Sequence, residues 1–176
     1  ISQKQYEYTL EKVKALGLQD KISVLKKDYR DLTGKYNKLV SIEMIEAVGH
    51  HYYHDFFRKC NQLLIPDGRM LLQSIIITDY LYEEAKQFSD FIKTYIFPGS
   101  CIPSISKLCE SSAKATDMRL FHLEDITPHY AKTLNHWRSH FMNNVQKIRD
   151  LGFSEEFIRL WNFYFCYCEG GFIERQ

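Results

Sequence analysis

Two carboxylates, Glu43 and Glu46, stand three residues apart, between an apolar run ending in Ile42 and the pair Val48-Gly49. Surface decoration is a poor account of that placement. A Glu46 turned into a dry pocket would need a specific partner. Gln73 lies inside the apolar string Leu71-Leu72-Gln73-Ser74-Ile75, where an amide must find hydrogen-bond partners or cost the fold a few kcal/mol. Asp28-Tyr29 follows another short apolar run. Its carboxylate suits an adenine amine or a ribose hydroxyl and its ring could stack on a base, although a solvated loop aspartate reads the same way. Tyr130 follows Pro128-His129 near a helix start, with its hydroxyl directed either to a cleft or to water. His50, His51 and His54 cluster, and His136 and His140 sit one turn apart. No HExxH string or third ligand completes either set, so no metal site is expected. Cys101 lacks an evident base and orienting partner, which marks it as a packed, inert thiol.

The elements that must position these groups alternate between helix and strand. Ser2 with Gln5 matches a capping box for a helix carrying Tyr6, Leu10, Val13 and Leu16, with Gly17 as a left-handed stop. Strands are expected at Ile22–Leu25, Asn37–Ile42 and Arg69–Ile77, the last buried on both faces as in a central parallel strand, with a further candidate at Met118–Leu123. A helix from about His50 to Leu64 closes at Pro66-Asp67-Gly68. Helices are also expected over Tyr82–Tyr95, Ser104–Ala113, Pro128–Leu151 and Ser154–Cys168, the last ended by Gly170-Gly171. This pattern predicts one α/β domain built on a mostly parallel sheet of three or four strands, with right-handed crossovers. In such sheets a ligand lies beyond the carboxyl ends of the strands, where Asp28, Glu46 and Gln73 fall.

The 176 residues can bury a core, and a hydrophobic fraction of 45% argues against wholesale disorder. The 12 Tyr and 12 Phe supply large apolar faces, which suit a core and also a pocket for a long acyl chain. A formal net charge of +1 gives no electrostatic case for nucleic acid as a partner. The five cysteines form an odd set without CxxC spacing, which fits a reducing cytosol. No apolar run approaches the roughly 20 residues needed to span a bilayer, and no signal peptide pattern opens the chain.

Five ordered blocks carry a resemblance over essentially the whole chain. They are Asp28-Tyr29-Arg30-Asp31; Ser41-Ile42-Glu43-Met44-Ile45-Glu46-Ala47-Val48-Gly49; Leu71 through Ile75 with the Tyr95-to-Ser104 string; Tyr130-Ala131-Lys132-Thr133-Leu134 with Trp137; and Cys168-Glu169-Gly170-Gly171-Phe172. Together they resemble the catalytic domain of cyclopropane fatty acid synthases and the related mycolic acid methyltransferases. The resemblance implies a Rossmann-like class I methyltransferase sheet, truncated at both ends, with a helical cap enclosing an acyl pocket. It implies transfer of the methyl group of S-adenosylmethionine to a cis double bond, followed by proton loss and ring closure. Bicarbonate is implied as the base, caged by Glu46, Gln73, the backbone at Ile75, and Tyr130. Gln73 stands where many relatives have histidine and can donate a hydrogen bond without carrying charge. Ala47 likewise stands where many have histidine. Asp28 and Tyr29 are implied to flank the adenine, with Ile42 lining the cofactor cleft.

By the same resemblance, the family's glycine-rich cofactor loop would precede Ile1 and its final strand would follow Gln176. The chain alone is therefore expected to bind S-adenosylmethionine weakly or not at all. The implied substrate is an unsaturated phospholipid acyl chain, reached from the cytoplasm by peripheral contact with the inner membrane face. The rivals are a methyl-branched lipid product, methylation of a small amine, or a catalytically incomplete unit whose exposed sheet edge pairs with another copy as a homodimer.

Overall fold

The computed structural model describes residues 2–174, which divide into two compact units. The first unit comprises residues up to Ile75 together with Leu108–Met118. Its first helix, α1 (Gln3–Ala15), starts as the sequence predicts, the Ser2 side chain accepting from the Gln5 N–H at 3.3 Å. It stops at Gly17, whose φ of +64° lets Leu18 N–H reach the Val13 carbonyl (3.0 Å) and Gly17 N–H that of Lys14 (3.1 Å). Those two bonds are the Schellman closure that a left-handed glycine permits.

β1 (Tyr36–Ile42) runs into the one-turn helix α2 (Ile45–Val48) and then α3 (Tyr53–Leu63), which returns the chain to β2 (Leu64–Gln73) parallel to β1. The expected strand at Arg69–Ile77 thus begins and ends earlier. Pro66-Asp67-Gly68 lies inside it as an irregularity: Asp67 takes φ +63°, and the register shifts between Tyr36 and Lys38. Gly68 is required there, because a Cβ would meet the Ile65 carbonyl oxygen at 2.8 Å. Gly68→Ala is expected to destabilise the protein by about 1–3 kcal/mol in chemical denaturation, since rigid backbone must move to admit the methyl. An unchanged midpoint would show that the turn is not tight.

The sheet has two strands among the described residues, fewer than the three or four expected. Ile22–Leu25 and Met118–Leu123 are neither helix nor strand. Their patterns are strand-like, yet a strand exists only where a neighbour completes its ladder, and neither segment has one among the described residues. Nor is β2 buried on both faces. Leu39, Ser41, Met70 and Leu72 turn inward, while Val40, Ile42 and Leu71 on the opposite face are 62%, 60% and 55% exposed. The inward face meets the core, where Ile45, Tyr53, Phe56, Phe57 and Cys60 are buried, with Tyr29, Met44 and Leu108 packed around them. Burial pushes the Cys60 thiol up to about 12.

The second unit comprises Ile76–Lys107 and the residues from Arg119 on. Where one helix over Tyr82–Tyr95 is expected, α4 (Asp79–Gln87) ends and a π-helical turn follows at Ile92–Ile96. Asp90 caps that turn by accepting from Lys93 N–H (2.8 Å), and Lys93 Nζ donates to the Ala85 and Phe88 carbonyls that the break leaves open. These local polar bonds outcompete helix continuity. Cys101 is buried, as its packed reading expects. α5 (Ile105–Ala115), most of which belongs to the first unit, begins after Ser104, whose hydroxyl accepts from Lys107 N–H. The expected Pro128–Leu151 helix is two, α6 (Thr127–Asn143) and α7 (Val145–Asp150). They part at Asn144, whose amide bonds back to the His140 carbonyl at 2.8 Å. α8 (Glu155–Glu174) is capped by Ser154 as predicted but runs straight through Gly170-Gly171. Contacts on both sides of the glycine pair hold it: Asn135 Nδ2 donates to Glu169 Oε1 (2.8 Å), and Phe172 lies 4.9 Å from the Tyr130 ring. Aromatic pairs Phe91–Phe163, Phe141–Phe165 and Trp161–Tyr164 fill this unit at centroid distances of 4.7, 5.6 and 5.3 Å.

Candidate active site

The parallel register sets Ile42 opposite Gln73, so β1 and β2 finish side by side and their carboxyl ends form one edge. Everything that follows each strand is delivered there. After β1, Glu43 donates its N–H to the Gln73 carbonyl at 2.9 Å, extending the pairing one step. It then takes φ +49°, a left-handed conformation that costs a non-glycine residue about 1–3 kcal/mol and that clusters at functional positions. That reversal of the chain starts α2 and puts Glu46 in its first turn.

Glu46 reaches back across the edge to β2. Its Oε1 accepts the Ile75 N–H at 2.6 Å and lies 3.0 Å from the Ser74 hydroxyl, which is also 2.8 Å from the Ile75 carbonyl oxygen. The single Ser74 proton therefore serves one of the two acceptors at a time. Oε2 of Glu46 is buried without a hydrogen-bond partner. A buried carboxylate oxygen with no donor is a costly arrangement, and its chemistry asks for a ligand bearing a proton. Beside it, Gln73 Nε2 donates to Glu43 Oε1 at 3.0 Å.

Of the residues predicted from sequence, Glu46, Gln73, Ile75 and Ile42 thus meet at one edge of the first unit, with Ile42 exposed at the end of its strand. Asp28 and Tyr29 lie in the same unit but in a 3-10 turn of their own, Tyr29–Asp31. Asp28 caps it, its Oδ1 accepting Arg30 N–H (2.9 Å) while the guanidinium binds both oxygens at 2.9 and 2.8 Å. The Tyr29 ring meets Phe56 edge-on at 5.7 Å, and burial raises its phenol pKa. Tyr130 belongs to the second unit, in the first turn of α6. The sequence alone pairs neither Glu43 nor Ser74 with a partner. Their adjacency to Ile42 and Gln73 was the available signal. Among the described residues no three His, Cys, Asp or Glu side chains converge on a metal position.

The Arg30 contacts give a direct test. They hold the Asp28 carboxyl down at about 2, against an ordinary 3.8, so its stabilising contribution is complete above the ordinary value and fades as pH falls toward 2. NMR titration is expected to show that depressed midpoint, and Arg30→Ala to return it toward 3.8. A midpoint already near 3.8 in the unaltered protein would refute the pairing.

A family model described as mycolic acid cyclopropane synthetase matches residues 1–176. The chain belongs to that family. It is 34% identical over 98% of its length to tuberculostearic acid methyltransferase UfaA1 of Mycobacterium tuberculosis, covering 40% of that protein. It is 31% identical over its full length to the cyclopropane-fatty-acyl-phospholipid synthase of Escherichia coli K12, covering 43% of that protein. Among solved structures, mycolic acid cyclopropane synthase CmaA1 complexed with SAH and CTAB aligns over 97% of this chain and 62% of its own, with a TM-score of 0.84 and 30% identity. The fold is therefore the mixed helix–strand fold of the cyclopropane synthase methyltransferases, and the chain spans only part of the length of the relatives it matches. Among the described residues no helix is long and apolar enough to cross a membrane.

Proposed function

We infer that the protein transfers the methyl carbon of S-adenosylmethionine to the cis double bond of an unsaturated phospholipid acyl chain and closes a cyclopropane, with residues 1–176 forming part of its methyltransferase domain. The observation that carries this is Glu46, held by Ile75 N–H with its second oxygen buried and unpartnered at the carboxyl edge of a parallel pair. Family membership supplies the chemistry to which that edge is put. The sulfonium–methyl bond breaks as a carbon–carbon bond forms to the alkene. The resulting cation then loses a proton from the added carbon as the ring closes.

Within that reaction Asp28 and Tyr29 would hold the adenosyl group, with Ile42 along the cofactor cleft. Glu46, Gln73 and the Ile75 backbone would hold bicarbonate, which when bound supplies a proton acceptor. The residues fit such an ion in one respect. Glu46 Oε2 needs a donor, and a bicarbonate hydroxyl is one. Ile75 N–H fixes the Glu46 carboxylate so that this acceptor does not have to reorganise during proton transfer. The aromatic helices from Tyr82 to Leu160 would enclose the acyl chain, with access from the cytoplasmic face of the membrane.

Purified full protein, given methyl-labelled S-adenosylmethionine and vesicles of unsaturated phospholipid, is expected to place label in the lipid. No label beside an active control enzyme would reject the reading. A second product, a saturated methyl branch, forms if the same cation takes up hydride from a reductant supplied with the methyl donor instead of losing a proton; one relative is named a tuberculostearic acid methyltransferase. Mass spectrometry of the labelled acyl chain separates the two, because the cyclopropane is two hydrogens lighter.

A further inference from the structure

Glu43 occupies a backbone conformation that glycine would adopt freely, yet a carboxylate stands there and reaches Gln73. The bond runs from Gln73 Nε2 to Glu43 Oε1 at 3.0 Å, and among the described residues Gln73 Oε1 takes no hydrogen bond. A carboxylate accepts only from the nitrogen end of an amide and repels its oxygen. Glu43 therefore decides which way round the Gln73 amide sits, leaving Oε1 and one remaining N–H for whatever binds at the strand ends. A free amide would choose its orientation with each ligand. The main chain couples the two residues as well, since Glu43 N–H donates to the Gln73 carbonyl.

We propose that Glu43 is a positioning residue that orients the Gln73 amide for the reaction at the carboxyl edge of the sheet. The proposal rests on the reading given under Proposed function. The strained φ is what separates it from a merely structural role. If Glu43 served the fold alone, exchanging it for glycine at φ +49° would lose the Gln73 bond and lower the thermal midpoint while leaving kcat unchanged. As an orienting group, its removal leaves the fold at least as stable and the reaction slower.

The test uses the full protein with Glu43→Gly, Glu43→Gln, Gln73→Ala and the double variant Glu43→Gly/Gln73→Ala. Glu43→Gly is expected to keep or raise the thermal midpoint while lowering kcat for methyl transfer about 10- to 100-fold, the usual range for an outer-shell partner. Glu43→Gln keeps an oxygen acceptor and is expected to recover most of that loss. In the Gln73→Ala background, Glu43→Gly should have no further effect on kcat. An unchanged kcat in Glu43→Gly, an equal loss in the Gln73→Ala background, or no recovery by Glu43→Gln would each overturn the proposal. If the unaltered protein methylates no lipid, the functional reading fails separately. Exchange of the Gln73 side-chain amide protons, read by NMR, then decides: faster in Glu43→Gly supports the anchor, and no change refutes it.

Discussion

Glu46→Gln is expected to lower kcat for methyl transfer by the full protein about 10²- to 10³-fold, as when a preorganised group at a reacting centre is lost. The substitution is nearly isosteric. Its retained oxygen can still accept the Ile75 N–H, so the turn after β1 and the pairing of the strand ends should persist. What changes is the second position, where a buried acceptor with no partner becomes an N–H₂ donor. A ligand that donates a proton there meets another donor, and the negative charge that would stabilise a developing cation is gone. The signature is a fall in kcat with the thermal midpoint held within a few degrees. A variant within about twofold of the unaltered kcat would remove Glu46 from the reaction. A collapsed midpoint would instead assign it to the fold, and binding of the unreactive thioether product would then be measured on Glu46→Asp, which keeps the charge.

Phe56→Ala is expected to cost about 3–5 kcal/mol, the range for emptying a fully buried aromatic site. Phe56 is 1% exposed, between the Tyr29 ring at 5.7 Å and the Phe57 ring at 5.4 Å, on the helix that covers one face of the sheet. With net domain stabilities of about 5–15 kcal/mol, such a loss takes a large part of the whole. Denaturant unfolding of the full protein measures it. A change below about 1 kcal/mol would mean that the core closes around the gap, contrary to the packing of five buried side chains about one another. Because α3 also carries the chain between the two strands whose ends hold Glu46 and Gln73, loosened packing should weaken turnover in parallel with stability.

Local chemistry explains what could be read in advance. Ser2 and Gly17 bracket α1 because a cap and a left-handed stop act within one turn. β1 and α3 were legible because each pairs a strong period with nearby stops. The helix breaks at Phe88–Asp90 and Asn144 were not legible. There, side-chain bonds from Asp90, Lys93 and Asn144 win over continuous apolar spacing, and spacing is blind to them. The strand patterns at Ile22–Leu25 and Met118–Leu123 overstated the sheet for a related reason: alternation describes a segment, while a strand is a property of two.

By itself, then, the amino-acid order settled the family and the α/β alternation, because those depend on local spacing and on strings that stay together along the chain. Only the tertiary structure decided which partner each polar group takes. Glu46 binds Ile75, and Gln73 binds Glu43 across about thirty residues of chain, because the parallel register sets Ile42 against Gln73. A hydrogen bond needs two atoms within about 3 Å, and for residues so far apart in sequence only the pairing of the strands supplies that distance.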